Sequence, residues 1–316
     1  MRTSLRLPEP PETPEAPFEP IGQASDGTSQ MVDELLRWYA VAARELPWRD
    51  PAATPWAVLV SEIMLQQTPV ARVLPAYAEW IARWPTPAAL AAAAPGDAVR
   101  AWGRLGYPRR ALRLHAAATT IVASHGGAVP ADYVALRALP GIGDYTAAAV
   151  AAFAFRQRHA VLDTNVRRVL ARALVGLAAP SASVTVAERK VASDFLPDDG
   201  QRAARVSVAL MELGALICKA GVPDCVDCPI ADRCQWRALG YPKSDTPLRR
   251  APGYEGSDRQ ARGAVLAVLR SHIGPVSRAQ LRVAWLDDVQ RERALDGLVA
   301  DGLVEPLARG RFRLPT

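Results

Sequence analysis

The sequence predicts an all-α core followed by a small C-terminal domain of three helices and two short strands. Three observations support this prediction. Between residues 31 and 237, alanine-rich amphipathic runs alternate with short Pro/Gly breaks, which is typical of short packed helices. Convincing apolar–polar alternation is missing there, so strands are not expected in the core. A Pro- and Arg-rich linker at residues 238–256 then separates this core from residues 257–316.

The first 30 residues are predicted to be a disordered tail, because they hold six prolines and little apolar content. They lack the apolar centre of a secretory signal, and no run reaches the ~20 apolar residues of a membrane span. The tail carries two arginines and five carboxylates, so of the formal net charge of +6 the remainder of the chain holds +9. A basic body indicates a polyanionic partner, nucleic acid first. We expect a cytoplasmic monomer that has no contact with membranes.

The first core helix is predicted at MVDELLRWYAVAAREL, and the second at WAVLVSEIMLQQTPVARV, residues 56–73. Glu62 lies in this second run among apolar neighbours, where desolvation can raise the pKa of a carboxyl and make it a general acid. Gln66 and Gln67 end the helix before Pro69 with hydrogen-bonding side chains. A solvated glutamate on an amphipathic helix is the simpler interpretation.

The motif LPGIGDYTAAAV begins at Leu139 and places Gly141 and Gly143 on either side of an isoleucine, directly before a helix. Such a hairpin exposes backbone N–H groups at a helix N-terminus and can bind a phosphate without reading sequence. A tight turn between two helices explains the motif equally well when it is taken alone. The basic charge and the downstream cysteines favour DNA.

The next motif, HAVLDTNVRRVLAR, puts Asp163 at the end of a short apolar segment and just before a helix. Helix capping by Asp163 or Thr164 is enough to explain these residues. A carboxylate one element after a phosphate-binding hairpin also lies where the sugar of a bound nucleotide is expected. Capping and chemistry are therefore compatible at this position.

All four cysteines fall in CKAGVPDCVDCPIADRC, at Cys218, Cys225, Cys228 and Cys234. Thiolates are ligands for zinc and for iron–sulfur clusters. Zinc ribbons usually have two C-x2-C pairs a dozen or more residues apart, whereas only Cys225 and Cys228 form such a pair here. The compact spacing favours a [4Fe–4S] cluster held by one loop over zinc. Disulfides are disfavoured by the expected reducing compartment.

The C-terminal domain is predicted to contain helices at residues 259–274, 275–285 and 290–302, with Ser277 as the cap of the second. Two short strands around a Gly turn follow in residues 303–315. Three helices and a hairpin are the pattern of a winged helix, a fold used by many DNA-binding proteins. A helical interaction module is the alternative.

Seven segments, taken in order, resemble the endonuclease III and MutY family of DNA glycosylases: LPWR, SEIMLQQT, GRLGY, LPGIG, LDTNV, MELGALIC and the cysteine loop. The resemblance covers residues 31–237 and implies a helix–hairpin–helix glycosylase core with a [4Fe–4S] cluster at residues 218–234. SEIMLQQT is similar to the signature of the MutY-type adenine glycosylases. Lyase members of the family have a lysine where this chain has Tyr145, so the resemblance implies a monofunctional enzyme without a Schiff base.

The resemblance also implies roles for the catalytic residues. Glu62 is expected to protonate adenine at N7, and ionised Asp163 to stabilise the oxocarbenium-like sugar. Tyr145 and Asn165 are expected to support these two carboxyl groups.

The DNA-contacting residues implied by the resemblance lie in other segments. Trp48 and Arg49 are expected to line the adenine pocket. Gln67 and Tyr107 are expected to wedge into the base stack opposite the flipped nucleotide, beside Gln66. The hairpin residues named above are expected to hold the phosphate backbone.

Three departures from the family pattern matter. Val208 occupies a position where relatives usually have a glutamine or glutamate, and Pro108 replaces the second tyrosine of the frequent GYY. No Nudix-like domain, which many adenine glycosylases use to recognise 8-oxoguanine, is visible after residue 256. The predicted function is excision of adenine opposite 8-oxoguanine or guanine in double-stranded DNA. The alternatives are a mismatch thymine or uracil glycosylase and a non-catalytic iron–sulfur DNA-binding regulator.

Overall fold

The structure, a computed structural model, describes residues 26–243 and 253–316. Twelve helices form the core within those residues, and the prediction of an all-α core is confirmed. Their bounds are α1 Asp26–Ala42, α2 Pro55–Leu65, α3 Val70–Arg83, α4 Pro87–Ala91, α5 Pro95–Ala101, α6 Arg109–His125, α7 Tyr133–Ala138, α8 Asp144–Phe155, α9 Thr164–Leu170, α10 Val186–Phe195, α11 Gly200–Leu216 and α12 Gln235–Ala238. Short 3-10 turns lie at Pro47–Arg49 and Ala231–Arg233, and a π-helical turn at Ala171–Val175 continues α9.

Side-chain caps explain why several of these helices begin where they do. Thr54 accepts a hydrogen bond from the N–H of Ala57 at the start of α2, and a proline occupies the first helical position. Thr185 and Glu188 form a reciprocal capping box at the start of α10. These signals are local in sequence, which is why the helix starts could be predicted.

The boundary predicted for the N-terminal tail is wrong by five residues, because α1 begins at Asp26 rather than after residue 30. An acidic residue in the first turn is favoured by the helix dipole. Farther along, Met31, Val32 and Leu35 bury one face of the helix. Residues 1–25 and 244–252, which hold the rest of the predicted tail and much of the predicted linker, lie outside the described residues.

The core helices form two lobes with separate hydrophobic clusters. The first lobe contains α2 to α8, and the second contains α1 and α9 to α11 together with Ile230 of the cysteine loop. A small third cluster, with Ala149, Ala152 and Ala204, joins α8 to α11 where the lobes meet. Among the helices described, none has the length and apolar character required to cross a bilayer.

The C-terminal domain contains α13 (Asp258–Ser271), β1 (Val276–Ser277), α14 (Arg278–Arg282), α15 (Asp288–Ala300), β2 (Glu305–Leu307) and β3 (Arg311–Arg313). The strands form an antiparallel sheet in the order β1–β3–β2, so the winged-helix-like prediction is confirmed. Ser277 caps α14 in a capping box with Gln280, as predicted. Val276, just before this cap, pairs with Phe312 in the sheet, which the sequence did not predict.

This domain packs directly on the first lobe and shares its hydrophobic cluster. The N–H of Gly96 in α5 donates to the carbonyl of Pro315 over 2.7 Å, and a Cβ on Gly96 would lie 2.4 Å from that oxygen. Arg270 of α13 donates to the carbonyl of Val99 over 3.0 Å and also to the carbonyl of Gly103. The C-terminal domain is therefore fixed against α5 and the loop that follows it.

Candidate active site

A cleft of about 1300 Å³ lies between the two lobes. Its walls come from the ends of α2 and α8, the start of α9 and one face of α11. The predicted site residues that line it are Trp48, Arg49, Glu62, Gln66, Gln67, Gly143, Tyr145, Asp163 and Asn165. Three further predicted residues, Tyr107, Leu139 and Gly141, lie outside this lining.

Glu62 is the buried carboxyl of the cleft, with only 4% of its surface exposed. It lies in the middle of α2, and its Oε2 accepts a hydrogen bond of 2.9 Å from the hydroxyl of Tyr145. Burial raises the pKa of Glu62 to about 7, against the opposing effect of this hydrogen bond. The structure thus excludes the interpretation of Glu62 as a solvated surface glutamate. Its carboxyl is poised to exchange a proton near neutral pH.

Asp163 lies across the cleft as the N-cap of α9. Its Oδ1 accepts a hydrogen bond of 2.6 Å from the N–H of Val166, and its Oδ2 accepts one of 2.8 Å from the amide of Asn165. Burial raises the pKa of Asp163, while these hydrogen bonds act in the opposite direction and favour its ionised form. The side chain therefore caps the helix and faces the cleft at the same time.

Asn165 connects Asp163 to the cysteine loop through one arginine. Arg168 donates to Oδ1 of Asn165 over 2.9 Å, to the carbonyl of Gly214 over 2.7 Å and to the carbonyl of Cys218 over 2.7 Å. A Cβ on Gly214 would lie 2.6 Å from the Cβ of Asn165, so a glycine is required for this close approach of α11 to α9. The position of Asp163 is thus linked by hydrogen bonds to the backbone of the first cysteine.

Glu212 is an organising residue of the site that sequence analysis missed. It is fully buried in α11 and accepts hydrogen bonds from Arg44 over 2.7 Å and from Arg49 over 2.8 Å. Burial alone would raise the pKa of Glu212, but these hydrogen bonds outweigh it and hold the pKa at about 2. Glu212 therefore fixes Arg49 against the cleft wall. A glutamate between the apolar residues of MELGALIC was the signal available in the sequence.

Trp48 has two structural roles. It is buried in the first lobe, where its ring packs edge-on against Tyr77 with centroids 5.2 Å apart, and it also forms part of the cleft wall. Val208, the residue noted as a departure, lines the cleft one helical turn before Glu212. The apolar Val208 and Arg49, which is paired with the buried Glu212, thus line the same cleft.

The two glycines of the hairpin differ in whether their backbone and surroundings would accept a side chain. Gly141 has a φ of +77°, and a Cβ there would lie 2.6 Å from the Cβ of Arg113. Gly143 has an extended backbone with a φ of −97°, and a Cβ there would meet no atom within 4 Å. Leu139 is buried and anchors the hairpin. Within the described residues, the N–H groups of both glycines have no hydrogen-bond acceptor, so both are available to a phosphate.

Two exposed side chains stand on strained backbone beside the cleft. Gln67, after α2, has a φ of +52°, and Tyr107, before α6, has a φ of +45°. Tyr107 is 57% exposed although it is aromatic. Gln66 differs from both, since it is half-buried and its amide donates to the hydroxyl of Thr146 over 3.2 Å. Pro108 follows Tyr107 and directly precedes α6.

The four cysteines line a single small cavity between the end of α11 and α12. None of them forms a disulfide. In the described part of the chain, no group of three or more His, Cys, Asp or Glu side chains is arranged to hold a single metal ion. Arg172 donates to Sγ of Cys218 over 3.4 Å, which places a positive charge beside the thiols. Four thiols around one cavity are a donor set that both zinc and iron–sulfur clusters use.

The chain is similar to a family of DNA repair proteins, to individual DNA glycosylases and to a solved glycosylase structure. Residues 60–192 match the family described as HhH-GPD superfamily base excision DNA repair protein. The chain is 54% identical over 282 residues to an adenine DNA glycosylase of Mycobacterium tuberculosis, covering 89% of this chain and 92% of the relative. It is 39% identical over 211 residues to the human adenine DNA glycosylase, covering 64% of this chain and 38% of the relative.

The solved structure of a thermostable thymine-DNA glycosylase superposes with a TM-score of 0.61 at 25% identity, covering 67% of this chain and 97% of that one. This match covers about the length of the two-lobed core.

Proposed function

Because the chain belongs to the adenine DNA glycosylase family, within the HhH-GPD superfamily, we propose that it excises adenine mispaired with 8-oxoguanine or guanine in double-stranded DNA. It is a DNA N-glycosylase of base excision repair. We further propose that it works as a cytoplasmic monomer on nucleoid DNA. The observation that carries the proposal is the pair of carboxyl groups, Glu62 and Asp163, in different hydrogen-bonding environments of one cleft.

The reaction begins when the target nucleotide leaves the duplex and enters the cleft. Flipping costs a few kcal/mol and is easier for a mispaired base. The wall that contains Trp48 and Arg49 would receive the adenine, with Arg49 held in place by Glu212. Neutral adenine is a poor leaving group until a ring nitrogen is protonated. Glu62, with a pKa of about 7, would supply that proton to N7.

Asp163 would stabilise the positive charge that develops on the sugar as the glycosidic bond breaks. The hydrogen bonds from Asn165 and Val166 orient its carboxylate and favour the ionised form. An acid and a carboxylate in opposite protonation states are the arrangement used by glycosidases. Tyr145 has no amine and cannot form a Schiff base, so base release would not be coupled to strand cleavage.

The DNA-binding surface would surround the cleft mouth. The free N–H groups of Gly141 and Gly143 would bind a backbone phosphate, with Leu139 anchoring the hairpin. Gln67 and Tyr107 would enter the base stack opposite the flipped nucleotide, with Gln66 beside them. These contacts read the geometry of the backbone and the loss of stacking at a mispair.

Cys218, Cys225, Cys228 and Cys234 would hold a [4Fe–4S] cluster. Such a cluster, when bound, supplies redox-capable iron and a rigid cross-link of the loop. The four cysteines join α11 to α12, and the carbonyl of Cys218 accepts a hydrogen bond from Arg168. We therefore assign the cysteine loop a structural role in supporting the site.

A panel of duplexes that differ in one mispair tests this function. We expect the purified protein to release adenine opposite 8-oxoguanine or guanine, with strand breaks appearing only after alkali. Breaks without alkali would contradict the monofunctional assignment made from Tyr145. Release of thymine or uracil opposite guanine would support the mismatch-glycosylase alternative, and binding without release of any base would support the regulator alternative.

A further inference from the structure

Arg110 is a buried arginine without an acidic partner in the described part of the chain. It lies in the first turn of α6 and is only 6% exposed. Burial lowers its pKa to about 10, which still leaves the guanidinium charged at neutral pH. An unpaired buried charge is costly unless dipoles compensate it. Here backbone carbonyls and one hydroxyl take that role, and they come from the end of α2 with the loop after it and from the loop before α6.

One half of the guanidinium holds the end of α2. Its Nη1 donates to the carbonyls of Ile63 over 2.9 Å, Met64 over 3.1 Å and Gln66 over 2.5 Å. The last carbonyls of a helix lack partners within the helix and form the negative end of its dipole. A cation at this position therefore stabilises the helix end and the direction in which the chain leaves it.

The other half holds the loop before α6 and Thr68 of the loop after α2. Its Nη2 donates to the carbonyl of Gly106 over 3.0 Å, to the carbonyl of Leu105 over 3.3 Å and to the hydroxyl of Thr68 over 3.0 Å. Its Cζ also lies 5.5 Å from the centroid of the Tyr107 ring. One planar side chain thus connects the loop after α2 with the loop before α6.

Each of the two connected loops contains a strained residue. Gln67 and Tyr107 adopt left-handed φ values of +52° and +45°, which cost energy for residues that have a Cβ. Such conformations persist only where the surroundings over-determine them. The carbonyls of Gln66 and Gly106 belong to the peptide groups directly before the two strained residues, and Arg110 holds both.

We propose that Arg110 is a positioning residue that fixes Gln67 and Tyr107 as one preorganised wedge for opening the duplex. The inference rests on the proposed function, because it assumes that the two exposed side chains enter DNA. A wedge that is already ordered loses little conformational freedom when it inserts. Lysine keeps the charge but lacks the planar fork, so it cannot hold both loops at once.

The test compares Arg110→Lys and Arg110→Met with the wild-type protein. Single-turnover adenine release is measured on an adenine:8-oxoguanine duplex and on a duplex in which the adenine faces an abasic site. The unpaired adenine needs less help to leave the stack. We expect Arg110→Lys to lose roughly tenfold in rate on the mispair and much less on the unpaired adenine. A 2-aminopurine placed beside the adenine should show a smaller fluorescence rise when it binds Arg110→Lys than when it binds the wild-type protein.

Arg291→Met is the matched control. Arg291 is equally buried at 6%, but it lies in α15, where it pairs with Asp288 and the carbonyl of Trp285. The Arg291→Met variant should have a lower stability, but the ratio of its adenine-release rates on the two duplexes should not change. An equal loss on both substrates for Arg110→Lys, with a normal fluorescence rise, would overturn the inference. If the wild type released no adenine, the proposed function would fail, and the fluorescence rise, which needs no excision, would still decide the role of Arg110.

Discussion

Tyr145 donates its hydroxyl hydrogen to Glu62 over 2.9 Å, so a helix of the hairpin motif controls the protonation of a carboxyl on α2. The pKa of Tyr145 is raised well above its ordinary value by burial and by the carboxyl groups nearby, so this hydroxyl remains a donor. Since donation favours the ionised form of Glu62, Tyr145 limits how far burial raises the pKa of that carboxyl.

The Tyr145→Phe variant should therefore shift the pH dependence of adenine release. In the wild type, the single-turnover rate should fall as pH rises through about 7, because Glu62 loses its proton there. Without the hydrogen bond the pKa of Glu62 rises further, and the falling limb should move to higher pH. Tyr133→Phe is the control, since Tyr133 bonds to Asp144 outside the cleft lining. A falling limb at the same pH in both variants would contradict the control of Glu62 by Tyr145.

Asp163→Asn should abolish base release while DNA binding survives. The substitution keeps an oxygen that can cap α9 but removes the negative charge beside the sugar, and a loss of at least about a hundredfold in single-turnover rate is expected. Electrophoretic mobility shifts measure the binding that remains. Asp199→Asn is the matched control, because Asp199 also caps a helix by accepting from a backbone N–H, that of Arg202 over 2.7 Å. Normal turnover by Asp163→Asn would show that the role given to Asp163 is wrong.

Gly143→Ala should weaken DNA binding without changing the fold. Its extended backbone accepts an alanine, and no protein atom lies within 4 Å of the new methyl group. The methyl would instead stand where a phosphate approaches the free N–H groups. We expect a roughly tenfold rise in Kd with an unchanged Tm. Gly253→Ala, another open glycine without a positive φ, should change neither value. A Tm loss at Gly143 would mean that the glycine serves the fold instead.

Iron analysis of the purified protein should give about four irons per chain, and stoichiometric zinc would contradict the cluster assignment. Cys228→Ala should deplete the iron and lower the stability to unfolding. It should also reduce adenine release more than DNA affinity, because the carbonyl of Cys218 helps to hold Arg168 and thereby Asn165. Asp227→Asn, an exposed change in the same loop, should retain the iron. If the Cys228→Ala protein lacked iron but released adenine at the normal rate, the cysteine loop would not support the active site.

Much of the fold could be predicted because its signals are local. Pro and Gly breaks delimit the helices, and Asp163 caps α9 at the position that its sequence indicates. The strand at Val276 could not be predicted, since it exists only through pairing with Phe312 far along the chain.

The site was predictable in its carboxyl groups but not in the residues that hold them. Glu212 and Arg44 are 168 residues apart in sequence, and their pairing depends on how α1 and α11 pack against each other. Arg110 stands beside Arg109 in a run that reads as a charged surface, yet only Arg110 is buried. Long-range pairing and burial of single polar groups are therefore what sequence patterns leave undetermined.

Glu62→Gln should stabilise the protein while inactivating it. The folded-state pKa of about 7 lies above the unfolded value of 4.5, so burial of Glu62 favours the protonated form. At pH below 4.5 the carboxyl is neutral in both states, and the wild type and the variant should unfold with similar free energy. As pH rises from 4.5 to 7, the unfolded state releases its proton first, and the wild type loses stability relative to the variant.

Above pH 7 this difference should be constant, at most about 3 kcal/mol in favour of Glu62→Gln. Urea unfolding at pH 5 and pH 8 measures it, and the gain should be larger at pH 8. Glu34→Gln provides the comparison, since Glu34 is a half-buried surface residue paired with Arg233, and its loss should not stabilise the protein at either pH. A variant at Glu62 that is less stable than the wild type at pH 8 would mean that the carboxylate has partners in the folded cleft beyond Tyr145. In that case the raised pKa of Glu62 would not explain how this residue acts as the general acid.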